Sequence, residues 1–189
     1  GPRQFAYLPE RGARDVLTYL VAVWILAIST GHKVTIFCSD VAGAFDKVSA
    51  SRLLAKLRAK GVHEKLVRLL GWWLAKRRAF VVVSGTKSQE FTLADMVFQG
   101  TVLGPLLWNS YYSDVNVAVR KEGFEEVVFA DDLHSYRTDE AECERSKLME
   151  KAGACQKQVH RWGDVNFEGT KETAHVLSRR DPFGEDYDM

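Results

Sequence analysis

The sequence predicts an α+β fold of split βαβ type, in which an antiparallel sheet carries helices on one face. Three observations predict it. An apolar strand, "KVTIFCSD" (Lys33 to Asp40), runs into helix-forming sequence; "EEVVFA" and "LHSYR" flank two aspartates as a hairpin; and the central segments succeed one another as strand, two helices, two strands, helix, hairpin, helix, strand.

Each element has a local reason. Gly12 to Thr30 is continuous helix-forming sequence, and Gly31 stands where a C-cap is expected. After the strand Lys33 to Asp40, "VAGAFDKVS" reads as a turn. Ser51 to Lys60 is a helix ended by Gly61, and His63 to Arg78 is a second one with Leu66, Leu69, Leu70 and Trp73 on one side. "AFVVVSG" and "QEFTLA" form a hairpin around Gly85 and Thr86. Beyond the loop "DMVFQGTVLG", Pro105 takes a preferred first helical position, and Leu107, Tyr111, Val115 and Val119 continue at helical spacing. A polar helix from about Asp139 to Trp162 and a last short strand, "ETAHVLS", follow the central hairpin.

Composition narrows the class. With 189 residues, 46% hydrophobic and 27% charged, the chain is long enough for a real core, and one domain with room for a small lobe is expected. The net charge of +1 gives no bulk attraction to nucleic acid, so any basic surface must be local. Cys38, Cys143 and Cys155 form neither a CxxC pair nor a Cys/His ligand cluster, which favours a reducing setting. The longest apolar run, Leu20 to Ile28, has nine residues, against roughly 20 for a membrane helix. No basic segment precedes an apolar core as in a signal peptide. An intracellular protein, nuclear or cytoplasmic, neither secreted nor membrane-bound, is expected. The absence of an initiator methionine suggests a piece of something longer.

The pair Asp131-Asp132 poses the chemical question. Two like charges in the mouth of a half-buried hairpin repel unless a cation joins them. Asp40 also ends an apolar strand, and in a βαβ arrangement a strand end and a neighbouring hairpin turn can share one sheet edge. Oxygen ligands of this kind suit Mg²⁺ or Mn²⁺, and two such ions about 3.5–4 Å apart serve in-line attack on a phosphoryl group. Read singly, an Asp pair in a turn is a solvated surface feature and an Asp after a strand a helix cap.

Order and spacing go further. "SDVAGAFDKV", "FQGTVLGPLLWNSYYSDV" and "VVFADDLHSY" resemble the first three palm motifs of reverse transcriptases, most closely those of the non-LTR retrotransposon and group II intron branch. "QFAYLPERGARDVLTYLV" is similar to the fingers segment that precedes them, and "RWGDVNFEGTKETAHVLS" to the fourth palm motif. The resemblance covers nearly the whole chain. It implies a polymerase palm with a ferredoxin-like sheet and partial fingers, the thumb being absent: residues 1–32 as fingers, 33–180 as palm with inserted fingers elements, and 181–189 as the start of the primer-grip region.

The resemblance also implies roles. Asp40, Asp131 and Asp132, with the main chain of Val41, would hold two Mg²⁺ or Mn²⁺ ions, Asp132 serving the metals or the primer terminus. Ala44 and Phe45 would border the incoming nucleotide, Phe45 as a steric gate whose ring collides with a 2′-hydroxyl. Gln99 and Gly100 would lie against the nucleotide and the template base, glycine permitting close backbone approach and Gln99 offering donor and acceptor. Lys171 would neutralise or protonate the departing pyrophosphate, or else be a surface lysine ahead of a strand. Asp46 is expected to hold the start of the next helix rather than a metal. The implied partners are an RNA template, a DNA primer, dNTPs, and the remaining fingers, thumb and endonuclease regions of a longer parent chain.

From Arg52 to Arg78 the bases Arg52, Lys56, Arg58, Lys60, Lys65, Arg68, Lys76, Arg77 and Arg78 face a single acid, Glu64. This excess suits a nucleic-acid backbone or a solvated helix face. Three other readings are carried: an RNA-templated RNA polymerase, which Phe45 argues against; a non-catalytic or domesticated nucleic-acid-binding module; and an unrelated two-metal phosphohydrolase, which leaves "QGTVLGP" unexplained.

Overall fold

Strand β1 (Lys33–Val41) buries residues on both its faces, and its middle, Val34 to Cys38, is apolar except for Thr35. In the computed structural model of the chain, residues 3–41, 43–75, 77–93, 97–167 and 170–177 are described, so the expected primer-grip start at 181–189 lies outside the described residues. The chain divides into two compact units: residues 1–42 with 112–189, and 43–111, which is inserted in sequence after β1.

In the first unit β1 joins β6 (Glu125–Phe129), β7 (Asp132–Asp139) and β8 (Thr170–Leu177) in a sheet of order β6-β7-β1-β8, with every neighbour antiparallel. This is the order a split βαβ unit produces. Val34 and Ile36 turn to one face, Thr35 and Phe37 to the other, and all four are buried. On the first face α1 (Ala13–Ser29) packs Val16, Leu20 and Ala27 against Val34, Ile36, Val127 and Tyr136. On the second lies α6 (Arg145–Asn166), whose Lys151 reaches Asp139 at 2.5 Å. Arg137, on that same face, donates to the Glu122 carbonyl at 2.9 Å, just beyond α5 (Val115–Arg120). The expectation of helices on one face is therefore corrected: α1 covers one side, α5 and α6 the other.

The second unit holds α2 (Ala50–Ala59), α3 (Glu64–Leu74) and most of α4 (Gly104–Tyr112), which bury Leu53, Leu57, Val67, Leu70, Leu74, Trp108 and Tyr111. The stripe expected on α3 shifts by one residue. Val67, Leu70 and Leu74 are buried, whereas Leu66, Leu69 and Trp72 are exposed, because "LVRLLGWWL" is apolar on both sides and its period alone does not choose. Helix α3 stops at Leu74 rather than Arg78. Residues of β2 (Arg77–Ala79) pair instead with β5 (Phe91–Leu93), while β3 (Val82–Val83) and β4 (Thr86–Lys87) close the expected hairpin with its turn at Ser84-Gly85 rather than Gly85-Thr86.

Two further boundaries differ. The helix expected to run on to Val119 breaks at Ser113-Asp114, where the Asp114 carboxylate accepts from Trp162 Nε1 at 3.1 Å. The last helix starts at Arg145, since Thr138 and Asp139 extend β7 as pairs of Val34 and Lys33. Among the described residues no helix is long and apolar enough to cross a membrane.

Burial on both faces has a measurable consequence. Chemical denaturation should show Phe37→Ala losing about 3–5 kcal/mol, against less than about 0.5 kcal/mol for Val117→Ala on the exposed side of α5. Equal small losses would contradict a doubly covered sheet.

Candidate active site

The register of the first unit brings the sequence-singled carboxylates to one sheet edge. In β1 and β7, Cys38 pairs with His134 and Ser39 with Leu133, so the next residues outward are Asp40 and Asp132. Cross-strand partners share a face, and the Cys38 Sγ lies 3.5 Å from His134 Nδ1. Two residues further along each strand, Asp40 and Asp132 emerge on that same face. On the other side of β1, Asp40 pairs with Lys171 and Val41 with Thr170. Lys171 is thus placed by its backbone opposite Asp40; its side chain lies outside the described residues.

Asp131 occupies the two-residue loop that joins β6 to β7, opposite the pair Phe129–Asp132. The first loop residue, Ala130, has φ +58°, and Asp131 is not left-handed, the pattern of a type II′ hairpin turn, which normally puts glycine first. An alanine there costs roughly 1–2 kcal/mol. Side chains from far along the chain hold this loop. Gln4, 6% exposed, donates from Nε2 to the Ala130 carbonyl at 3.2 Å and accepts from the Ala130 amide at 3.1 Å through Oε1. The Tyr112 hydroxyl donates to the Asp131 carbonyl at 3.2 Å.

The edge is electrostatically loaded. Burial pushes the Asp131 carboxyl above the usual carboxylate range; a hydrogen bond from its own amide opposes this, and the charges of Asp40 and Asp132 add to the rise. The Tyr7 phenol is also raised, by burial and then by Asp131. His134 is lowered by burial, which outweighs the attraction of Asp132. Among the described residues no three His, Cys, Asp or Glu side chains stand close enough to hold an ion as they are. What the edge presents is a group of like-charged oxygen donors that interact without forming a closed cage. Their chemistry fits a hard divalent cation, which would offset both the burial of the Asp131 charge and the repulsion from its neighbours.

The second unit collects the other predicted residues. Ala44, Phe45 and Asp46 lie in a short 3₁₀ turn (Ala44–Lys47), Ala44 buried and Phe45 half-buried. Asp46 is not the cap of α2, a position Ser49 fills. Phe45 stacks on buried Trp108, ring centroids 5.3 Å apart at 28°, and its carbonyl accepts from the Val97 amide at 2.8 Å. Gly104 sits so close that a Cβ would meet the Phe98 carbonyl oxygen at 3.0 Å and Thr101 Oγ1 at 3.2 Å, with the Phe45 ring also in contact. Those contacts seat the loop carrying Gln99 and Gly100 beside Phe45. Both loop residues are exposed, and Gly100 has φ +76°, which glycine adopts without cost.

Part of the basic run is engaged locally. Lys56 donates to the Tyr111 carbonyl at 2.8 Å, Arg58 pairs with Glu64, Arg78 with Glu90, and the Arg77 guanidinium lies 4.0 Å above the Phe98 ring. Arg52, Lys65 and Arg68 are exposed. Sequence reasoning did not single out Gln4, Tyr112, His134 or the platform role of Trp108. The face shared by Cys38 and Asp40 was readable from strand alternation; the reach of Gln4 was not.

A raised folded-state pKa means that the folded chain holds the Asp131 proton more tightly than the unfolded one. Stability contributed this way is present at low pH and lost as pH rises through the raised value. Thermal melting at neutral pH without divalent cation should therefore show Asp131→Asn more stable than the parent. A lower melting temperature would contradict the electrostatic loading of this edge.

A family model described as reverse transcriptase (RNA-dependent DNA polymerase) matches residues 1–168. Among solved structures, apo telomerase from Candida tropicalis, truncated from its C-terminal domain, has a similar fold, with a TM-score of 0.63 at 10% sequence identity. That likeness covers 100% of this chain and 41% of the telomerase chain, so the present chain spans less than half of its length. With the family match running from the first residue to the end of the last long helix, the chain belongs to the reverse transcriptase family.

Proposed function

We propose that this chain is the palm, with part of the fingers, of an RNA-templated DNA polymerase of the non-LTR retrotransposon and group II intron branch, working inside the cell as part of a longer retroelement protein. The observation that carries the proposal is the shared edge of Asp40, Asp131 and Asp132, where the neighbouring charges add to the burial that raises the Asp131 carboxyl.

The reaction is nucleotidyl transfer. The 3′-hydroxyl of a DNA primer loses its proton and bonds to the α-phosphorus of a dNTP, while the bond to the β-phosphate oxygen breaks and pyrophosphate leaves. Two Mg²⁺ or Mn²⁺ ions, when bound, supply a lowered hydroxyl pKa and charge neutralisation at the triphosphate. Asp40, Asp131 and the main chain of Val41 hold them, and Asp132 braces the metals or the primer end. Phe45, backed by Trp108, excludes a 2′-hydroxyl from the sugar position. Gln99 and Gly100 bear on the nucleotide and its template base, and Lys171, in register with Asp40, delivers charge or a proton to the pyrophosphate. The exposed bases of α2 and α3 follow the template-primer backbone. Thumb, remaining fingers and an endonuclease belong to other parts of the parent chain.

Primer extension on an RNA template with dNTPs and Mg²⁺, carried out by a parent polypeptide containing this chain, tests the reading. Replacing Asp131 and Asp132 by alanine should reduce extension by about 1000-fold, as losing several kcal/mol of transition-state stabilisation implies. No extension by the intact, folded, duplex-binding protein would favour a non-catalytic binding module. In the same assay Phe45→Ala should raise ribonucleotide incorporation by about tenfold or more. Unchanged sugar selectivity would remove the gate, and a preference for ribonucleotides in the unaltered protein would identify an RNA polymerase.

A further inference from the structure

We propose that Gln4 and Tyr112 are positioning residues that lock the Ala130-Asp131 loop so that the Asp131 carboxylate meets a divalent cation without first reorganising. The inference rests on the polymerase reading of the aspartate edge and assigns two residues that act through the main chain of the loop.

The loop has four main-chain polar groups, and three of them are held by these two side chains. Gln4 takes the amide and the carbonyl of Ala130, at 3.1 and 3.2 Å, and Tyr112 takes the carbonyl of Asp131, at 3.2 Å. The hold comes from 126 and 19 residues away in sequence, so it does not follow from hairpin formation itself. Gln4 is fixed in turn. Its Oε1 also accepts from the Ala6 amide at 3.0 Å, and the flanking main chain bonds to Val128 of β6, Phe5 donating at 2.9 Å and Arg3 accepting at 3.0 Å. The Tyr112 ring lies edge-on to Trp162 at 5.3 Å, which anchors its hydroxyl.

The clamp has a task because Ala130 is left-handed. An alanine released from these bonds relaxes toward negative φ, which rotates the next peptide and the Cα–Cβ bond of Asp131 with it. Strain of this kind persists only where the surroundings over-determine it. A glutamine amide suits the position because it donates to the carbonyl and accepts from the amide of one residue at once. Outer groups that fix a ligand's orientation typically change metal affinity by about 10–100-fold when removed.

The test is a Mn²⁺ titration of this chain followed by electron paramagnetic resonance, beside hydrogen exchange of the Ala130 amide in the absence of metal. Gln4→Ala should speed exchange at Ala130 and weaken Mn²⁺ binding by about tenfold, with the melting midpoint of the sheet retained. Tyr112→Phe, which keeps the ring and removes one bond, should weaken binding in the same direction by a few-fold. A folded Gln4→Ala chain that binds Mn²⁺ as the parent does would overturn the proposal; should that variant fail to fold, unchanged affinity in Tyr112→Phe would do the same. If Asp131→Asn leaves Mn²⁺ binding intact, the metal reading falls and takes the clamp's role with it. Ala130 exchange, read without metal, separates that failure from a loop that was never clamped.

Discussion

The site depends on the register between β1 and β7. Because successive side chains alternate across a strand, a slip of one residue would send Asp40 and Asp132 to opposite faces of the sheet. Burial on both sides forbids that slip. Val34 and Ile36 are committed to the face under α1, Thr35 and Phe37 to the face under α6, and the contact of Cys38 with His134 marks the last pair before the carboxylates on their own face. A core that is mainly apolar thus sets the position of three carboxylates.

The same arrangement concentrates its cost at one end. Asp131 is partly desolvated and near two like charges, and the residue before it adopts a backbone conformation that alanine disfavours. Elsewhere in the unit, charged groups are matched: buried Glu126 receives two hydrogen bonds from Arg120, and Asp139 is held by Arg137 and Lys151. Net stability of a domain this size is a small difference between large terms, so a local deficit is tolerated where the sheet core is deep. Positive charge brought to such an edge would offset the deficit.

Much of this was legible in the sequence, and for local reasons. The apolar run before Asp40, the alternation on either side of Asp131-Asp132 and the glycine-proline break at Gly104-Pro105 each span under a dozen residues, and the structure forms strand, hairpin and helix start there. Local pattern failed where a distant partner decides. Arg77 to Ala79 would extend α3 but for the pairing offered by Phe91 to Leu93. The second covered face of the sheet was missed because Leu17, Val21 and Ile25 leave α1 apolar on its outer side too, hiding which side packs inward. Gln4 carries no periodic signal, and its importance comes from meeting Ala130 across most of the chain.

The most direct test of the central claim is anomalous diffraction at the manganese edge from crystals of this chain grown with Mn²⁺ and a non-hydrolysable deoxynucleoside triphosphate. The account predicts manganese at the sheet edge, bounded by the carboxylates of Asp40 and Asp131. Bound nucleotide with manganese elsewhere, and those two carboxylates turned apart, would contradict it.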